Sequence, residues 1–383
     1  MLPTLSIALP FCEYCPSHLQ FLSFSSLLSL LLHIFFQTDL PMTSSRQRML
    51  DAFHFDHPDR IPLVYHPSTA GLHVHGQKLL DLFNQYPSDN PITFDNLPAP
   101  PPDTVDAQGR YHEIKKDDWG VDWEYLIFGI AGHPQYHPFD SWEAGRDYEF
   151  PPIPAPGSSE ETAQRLQIEE RQKDYLVFSG GLSLFERLHA VRPLDELLIA
   201  CATGDRHFLD FLDQLTAYWH AVLDYLLPLG VDVVTFGDDW GTQNAPIVSP
   251  ALFRDLFKPR YRELMDRIKK AGSKVFFHCC GQVGPLFDDF LELGIDGYWP
   301  QITCYDPDEL AAKCREHQVA IYIHPDRQQL IPLGTPEKID AYIRACADRY
   351  RALGGGAIFY VEMENDAPFA NVKALFEAID RYR

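Results

Sequence analysis

Seven short apolar runs, alternating with amphipathic helices, constrain the fold of this chain more than any other feature. The runs are Ile61–His66, Tyr175–Gly180, Val231–Gly237, Lys274–Cys280, Gly297–Trp299, Ala320–His324 and Ala357–Glu364. Most are rich in Val, Ile, Phe and Tyr and are bounded by Gly, Pro or Asp, which is the signature of buried strands. Helical periodicity fills the gaps at Leu194–Ala202, Arg206–Leu227, Pro250–Ala271, Val283–Leu293, Asp308–His317, Pro336–Leu353 and Pro368–Tyr382. Ser249-Pro250, Asp306-Pro307 and Thr335-Pro336 set a capping residue before a first-turn proline. Gly230, Gly272, Gly294 and Gly354 follow helices in the C-cap manner. Strands apolar on both faces and separated by helices are parallel and covered on both sides. With seven clear strands and an eighth expected before residue 170, the pattern predicts a closed (β/α)8 TIM barrel, an α/β fold, rather than an open doubly wound sheet.

Residues 86–160 interrupt the alternation. Pro98–Pro102, Trp119-Gly-Val-Asp-Trp-Glu and Pro151-Pro-Ile-Pro-Ala-Pro read as aromatic loops. An elaborated excursion carrying a β-hairpin over one mouth of the barrel is expected here, because long loops in compact domains commonly serve as lids or binding segments.

The first 41 residues differ from the rest. They contain no Lys or Arg, and the first basic residue is Arg46. The apolar Gln20–Phe36 lacks the positive flank and small-residue cleavage site of a secretory signal. Residues 1–41 are read as an upstream extension, disordered or translated from a mis-chosen start, with a membrane anchor as the alternative. Residues 42–383 are read as one barrel domain. The Cys12-x-x-Cys15 pair has no second half and is read as incidental.

A formal net charge of −22 excludes a nucleic-acid or anionic-membrane surface, since phosphate binding needs a basic face. The eight cysteines show no disulfide framework, which fits a reducing, cytoplasmic compartment. No G-x-G-x-x-G or Walker A motif signals nucleotide binding.

Barrel chemistry sits at the C-terminal strand ends. His278 and Cys280 lie two apart at the end of Lys274–Gly281. They share one strand face, because side chains alternate. An imidazole and a thiol converging there make a candidate zinc pair. The alternative is a buried histidine beside a structural cysteine. On the last run, Phe359, Val361 and Met363 share one face, and Tyr360, Glu362 and Glu364 share the other. The apolar face is expected to meet the helices, leaving both carboxylates toward the interior. There Glu362 or Glu364 is the expected third zinc ligand, with rim charge as the competing reading. Asp238 and Asp239 close the Val231 strand, either as caps of the next turn or as groups that orient substrate or back a histidine ligand. His66, Trp240, Tyr298, Trp299 and His324 fall at other strand ends and are expected to line the mouth and contact substrate. His73-x-His75 does not share a helical face and is unassigned.

These residues carry a resemblance. Asp238-Asp-Trp-Gly followed by Ile247-Val-Ser-Pro-Ala-Leu-Phe and Lys258-Pro resembles the uroporphyrinogen decarboxylase (URO-D) superfamily. So do His278-x-Cys280-Gly281, Leu293-Gly-Ile-Asp296, Leu333-Gly-Thr-Pro-Glu-Lys-Ile and Asn371-Val-Lys-Ala-Leu. The resemblance covers roughly residues 42–383 and is weakest over 86–170. It implies a (β/α)8 barrel and one of two chemistries. Decarboxylases of the family use no metal and hold tetrapyrrole propionates with arginines after the first strand. Here that place reads Tyr65-His-Pro-Ser-Thr-Ala-Gly71, and no arginine stands between Arg60 and Arg110. The other branch comprises zinc-dependent methyltransferases that work with corrinoid proteins and carry His-x-Cys plus a cysteine on the last strand. His278 and Cys280 match; Glu362 and Glu364 stand where the distant cysteine is absent. A carboxylate in place of a thiolate keeps the ligand charge but makes the zinc a harder, stronger Lewis acid.

The resemblance therefore implies a zinc-dependent methyltransferase-like enzyme moving a methyl group to or from a corrinoid, carried by a partner protein, or a thiol. The expected partners are a small methyl donor or acceptor and that corrinoid protein, without nucleic acid or membrane; a homodimer is compatible. Tetrapyrrole decarboxylation and a non-catalytic, small-molecule-binding barrel are the two alternatives.

Overall fold

In the computed structural model, residues 43–94 and 96–383 are described. The readings for residues 1–41 and for Cys12 and Cys15 lie outside the described residues. The chain enters through helix α1 (Ser45–His54), whose N-terminus is capped by the Ser44 hydroxyl accepting from the Gln47 N–H. Strand β1 (Leu63–Tyr65) follows, then β2 (Glu113–Lys116), β3 (Asp122–Tyr125) and β4 (His133–Tyr136). The remaining strands are β5 (Phe178–Leu182), β6 (Val233–Gly237), β7 (Lys274–Cys279), β8 (Gly297–Pro300), β9 (Ala320–Ile323) and β10 (Ala357–Val361).

All seven expected strands form, and they make one parallel sheet in the order β1-β10-β9-β8-β7-β6-β5. The strand expected before residue 170 does not form. Ser159–Arg171 is helical there, and β2–β4 make a separate antiparallel sheet. Among the described residues no ladder joins β5 to β1. The sheet is nevertheless curled. Val64 on β1 and Phe178 on β5, at its two ends, belong to one inner cluster with Phe276, Tyr322, Ile358 and Tyr360. Helix α1 packs into that interior: Phe53 meets both Phe178 and Phe276 at 6.4 Å between ring centres. Arg46 then ties α1 to the β5–β6 edge, donating to both Asp232 oxygens at 2.7 and 2.6 Å and to the Tyr175 carbonyl at 2.9 Å.

Alternation along each strand splits the core in two. Phe236, Phe277, Tyr298, Phe359 and Val361 face outward into the layer shared with the helices, while Phe276, Tyr322 and Tyr360 face inward. The expected excursion is a three-stranded meander, larger than a hairpin. Its Gly129 lies against the segment after β1, where a Cβ would stand 2.4 Å from the Ala70 nitrogen. The meander thus rests beside the C-terminal end of β1. No helix among the described residues is long and apolar enough to cross a membrane.

Candidate metal centre

Asp239, His278 and Cys280 each bring a ligand atom within 4.8 Å of the other two. The geometry begins with register. Gly237 on β6 pairs with His278 on β7, which pairs with Trp299 on β8. Beyond the ladder, two glycines let the β6 and β7 loops meet. Gly281 has φ +83°, and a Cβ on it would lie 2.3 Å from Gly241 backbone atoms. A Cβ on Gly241 would be 2.8 Å from the Gly281 carbonyl carbon. That contact carries Asp239 to the end of β7, where its Oδ1 accepts the Cys280 N–H at 2.7 Å. The same oxygen is 3.5 Å from His278 Nε2, which is 3.5 Å from Cys280 Sγ.

The tautomer of His278 follows from its second nitrogen. Nδ1 is 2.9 Å from the Trp299 carbonyl oxygen, which can only accept. Nδ1 therefore carries the proton, and Nε2 turns its lone pair toward the sulfur and the carboxylate. A backbone carbonyl behind a histidine is the usual orienting partner of a metal ligand. Burial lowers the proton affinity of His278, with Asp239 opposing. Burial also pushes the Cys280 thiol up to about 12. A neutral imidazole, a carboxylate and a thiol that only a cation would deprotonate form a set of N, O and S donors that suits a three-ligand zinc site with an open position.

The centre opens into a cavity of about 380 Å³ lined by His278, Cys280, Trp299, Gln301, His324, Arg327 and Glu362, among others. Trp299 floors it, with its ring 4.1 Å from that of His278 and 4.4 Å from that of Tyr360. Its Nε1 donates to His324 Nδ1 at 3.3 Å. The proton of neutral His324 is therefore on Nε2, a buried atom with no hydrogen-bond partner among the described residues. Glu362 Oε2 lies 3.7 Å from it. Burial, then the charge of Arg327, lowers His324 to about 3. Arg327 bridges Glu362 at 3.5 Å and Glu364 at 2.6 Å.

The last strand faces as expected, but its glutamates are not part of the donor group. Glu362 lines the cavity between His66, 3.3 Å away, and Arg327, while Glu364 is held outward on Arg327. Asp239 takes the place expected of them, because the Gly241–Gly281 contact brings its loop closer than β10 comes. Asp238 is corrected more sharply. It is fully buried and points away from the cavity, accepting from Ser183 Oγ at 3.0 Å, Leu184 N–H at 2.8 Å and Glu186 N–H at 2.7 Å. The Tyr261 hydroxyl is a fourth donor. Asp238 thus caps α2 (Phe185–Val191), a helix before its own strand, and touches no substrate space. Burial pushes its carboxyl up to about 7 against these donors.

Trp240 and Tyr298 do not wall the mouth. Trp240 is fully buried between Phe185, Phe253 and Phe257. Tyr298 faces the helices, and its hydroxyl pairs with that of Tyr305 at 2.9 Å. Each sits one residue from an inward position, and a one-residue step on a strand changes the face. Among the expected substrate contacts, His324 lines the cavity. His66 stands beside Glu362 with Nδ1 accepting from the Ser68 N–H at 3.1 Å. Arg327, Gln301 and Gln243 also line the cavity, and no sequence motif singles them out. Arg327 follows His324-Pro-Asp, a break after a strand that marks a βα loop.

Comparison with known proteins bears on the family and the fold. The family model described as Uroporphyrinogen decarboxylase (URO-D) matches residues 191–382, just over half of the 383-residue chain. The fold is similar to a methyltransferase from Methanosarcina mazei at 17% identity and a TM-score of 0.58, over 88% of this chain and 99% of that one. More distant barrels include a xylose isomerase-like TIM barrel protein from Mycobacterium smegmatis in complex with magnesium (16% identity, TM-score 0.32, 60% and 89% covered). Dihydropteroate synthase from Stenotrophomonas maltophilia is a similarly distant match (11% identity, TM-score 0.32, 55% and 68% covered); neither bears on function. No curated protein matches the chain. With that family model matching over half of its length, the chain belongs to the uroporphyrinogen decarboxylase (URO-D) family.

Proposed function

We propose that residues 42–383 form a zinc-dependent methyltransferase-like enzyme on a URO-D barrel, which moves a methyl group to or from a corrinoid, held by a partner protein, or a thiol. The observation that carries this is the meeting of His278 Nε2, Cys280 Sγ and Asp239 Oδ1 within 4.8 Å of one another at the wall of a cavity of about 380 Å³. Zinc bound by these three residues would act as a Lewis acid, lowering the pKa of a thiol or polarising the oxygen of a methyl ether or alcohol. The Trp299 carbonyl holds His278 in the ligand tautomer, and the Trp299 ring gives the cavity an apolar floor. His324 Nε2–H is free to donate a hydrogen bond to a substrate oxygen. Glu362 beside it offers an acceptor.

The charge of the cavity argues against tetrapyrrole decarboxylation. Its one arginine, Arg327, is already shared between Glu362 and Glu364, so no free cation among its lining residues faces a propionate, and Arg–carboxylate pairing is how such groups are held. The test is a pair of assays on one preparation. Demethylation of methylcobalamin by a thiol, followed by visible absorbance and abolished by a chelator, supports the proposal. Chelator-insensitive loss of carbon dioxide from a porphyrinogen would replace it with decarboxylation. Ligand binding without either reaction would point to a non-catalytic barrel.

A further inference from the structure

At the opposite end of the barrel, before β1 and β10 begin, a cleft of about 140 Å³ gathers Asp59, Arg60, Tyr350, Arg351 and Arg383. Four of the polar atoms on these residues are buried with no hydrogen-bond partner among the described residues: Arg60 Nε, Arg383 Nε, Arg383 Nη1 and Tyr350 Oη. The Arg383 side chain is only 2% exposed. Its nearest carboxylates are Asp380, 3.2 Å from Nη2, and Asp89, 3.9 Å from Nη1. Asp89 and Asp59 are already paired with the buried Arg48 at 2.5 and 2.6 Å. Arg351 pairs with Asp348 at 3.2 Å. Among the described residues Arg60 makes no ion pair within 4.0 Å. Arg48 thus takes Asp59 and Asp89, Arg383 is left with Asp380 and a long contact to Asp89, and the Arg60 guanidinium is without an ion-pair partner among the described residues, in a chain whose net charge is −22. Orphaned donors and unpaired buried charge are costly unless something satisfies them.

We propose that this cleft binds a small tetrahedral oxyanion, of the phosphate or sulfate class, through the guanidinium groups of Arg60 and Arg383 and the hydroxyl of Tyr350. Guanidinium forks match such oxyanions and pair with them bidentately. The cleft lies below the roughly 300–1,000 Å³ of sites for drug-sized ligands, which fits an ion rather than a nucleotide. The three donors come from the segment leading into β1, the helix before β10 and the residue that follows the C-terminal helix. A bound anion therefore clamps the first and last βα units together, far from the metal centre.

The experiment is calorimetric titration of the full chain with inorganic phosphate, and separately sulfate, at ionic strength held constant with sodium chloride. One-site binding is expected with both anions, with a saturable rise in unfolding temperature that chloride and acetate do not give. Arg60→Gln is expected to weaken phosphate binding at least tenfold, and Tyr350→Phe severalfold, with zinc content unchanged in both. Tyr350→Phe retains the ring and decides the question if Arg60→Gln does not fold. Absence of saturable binding by the unaltered chain, or equal phosphate affinity in the folded variants, overturns the proposal.

Discussion

Gly241 and Gly281 touch backbone to backbone, and their contact places Asp239 beside Cys280. Gly281 holds φ +83° with no room for a Cβ, so Gly281→Ala meets both backbone strain, about 1–3 kcal/mol, and a steric clash. Gly241→Ala meets the clash alone. Both variants are expected to lose stability in denaturant titrations and to bind zinc more weakly than the unaltered chain, Gly281→Ala more so. Full zinc affinity in Gly281→Ala would mean that the loop contact does not assemble the site.

Asp238 is a cap rather than a catalytic group. Asp238→Asn turns an NH2 toward donors that need an acceptor, and each buried donor left unsatisfied costs about 1–3 kcal/mol. Urea melts should register that loss while zinc stoichiometry stays intact. A stable Asp238→Asn protein with abolished methyl transfer would return Asp238 to the chemistry.

Trp240 is a core residue by the same logic. Trp240→Ala should destabilise the fold by about 3–5 kcal/mol, and Trp240→Phe should be mild, with substrate KM unchanged. A KM rise in a stable Trp240→Phe would place the indole back in the mouth.

His324 makes stability depend on pH. Burial and Arg327 hold its folded value at about 3, against about 6.5 when unfolded. Between those values the unfolded chain binds the proton and the folded one does not. This contribution is complete above pH 6.5 and is lost as pH falls toward 3. In His324→Gln the curve of stability against pH should be shallower, by up to about 1.4 kcal/mol per pH unit over that window. Parallel curves for the two proteins would show that His324 is not held neutral.

The strands and their facings are legible in the sequence because period-two alternation is local: Phe359, Val361 and Met363 face outward in the structure as they do in the pattern. The His278–Cys280 pair is legible for the same reason. Trp240 escapes the pattern because it lies beyond the end of β6, where alternation no longer fixes a face, whereas Tyr298 sits within the β8 ladder and alternates outward, opposite to Trp299. The sequence shows Asp239 only as a substrate or supporting group, because its role depends on two glycines 40 residues apart meeting across loops. Nothing local marks that contact. The missing eighth strand is a separate case: the strands that form between β1 and β5, within Glu113–Tyr136, pair with one another rather than as a ladder on β5.

Asp239, rather than a last-strand glutamate, completes the proposed zinc site. The decisive measurement is metal analysis with zinc competition titration of the unaltered chain beside Asp239→Ala, Glu362→Ala, His278→Ala and Cys280→Ala. One zinc per unaltered chain is expected, with loss of tight binding in the His278, Cys280 and Asp239 variants and retention in Glu362→Ala. A folded, metal-free unaltered protein, or zinc lost in Glu362→Ala and kept in Asp239→Ala, would contradict this assignment.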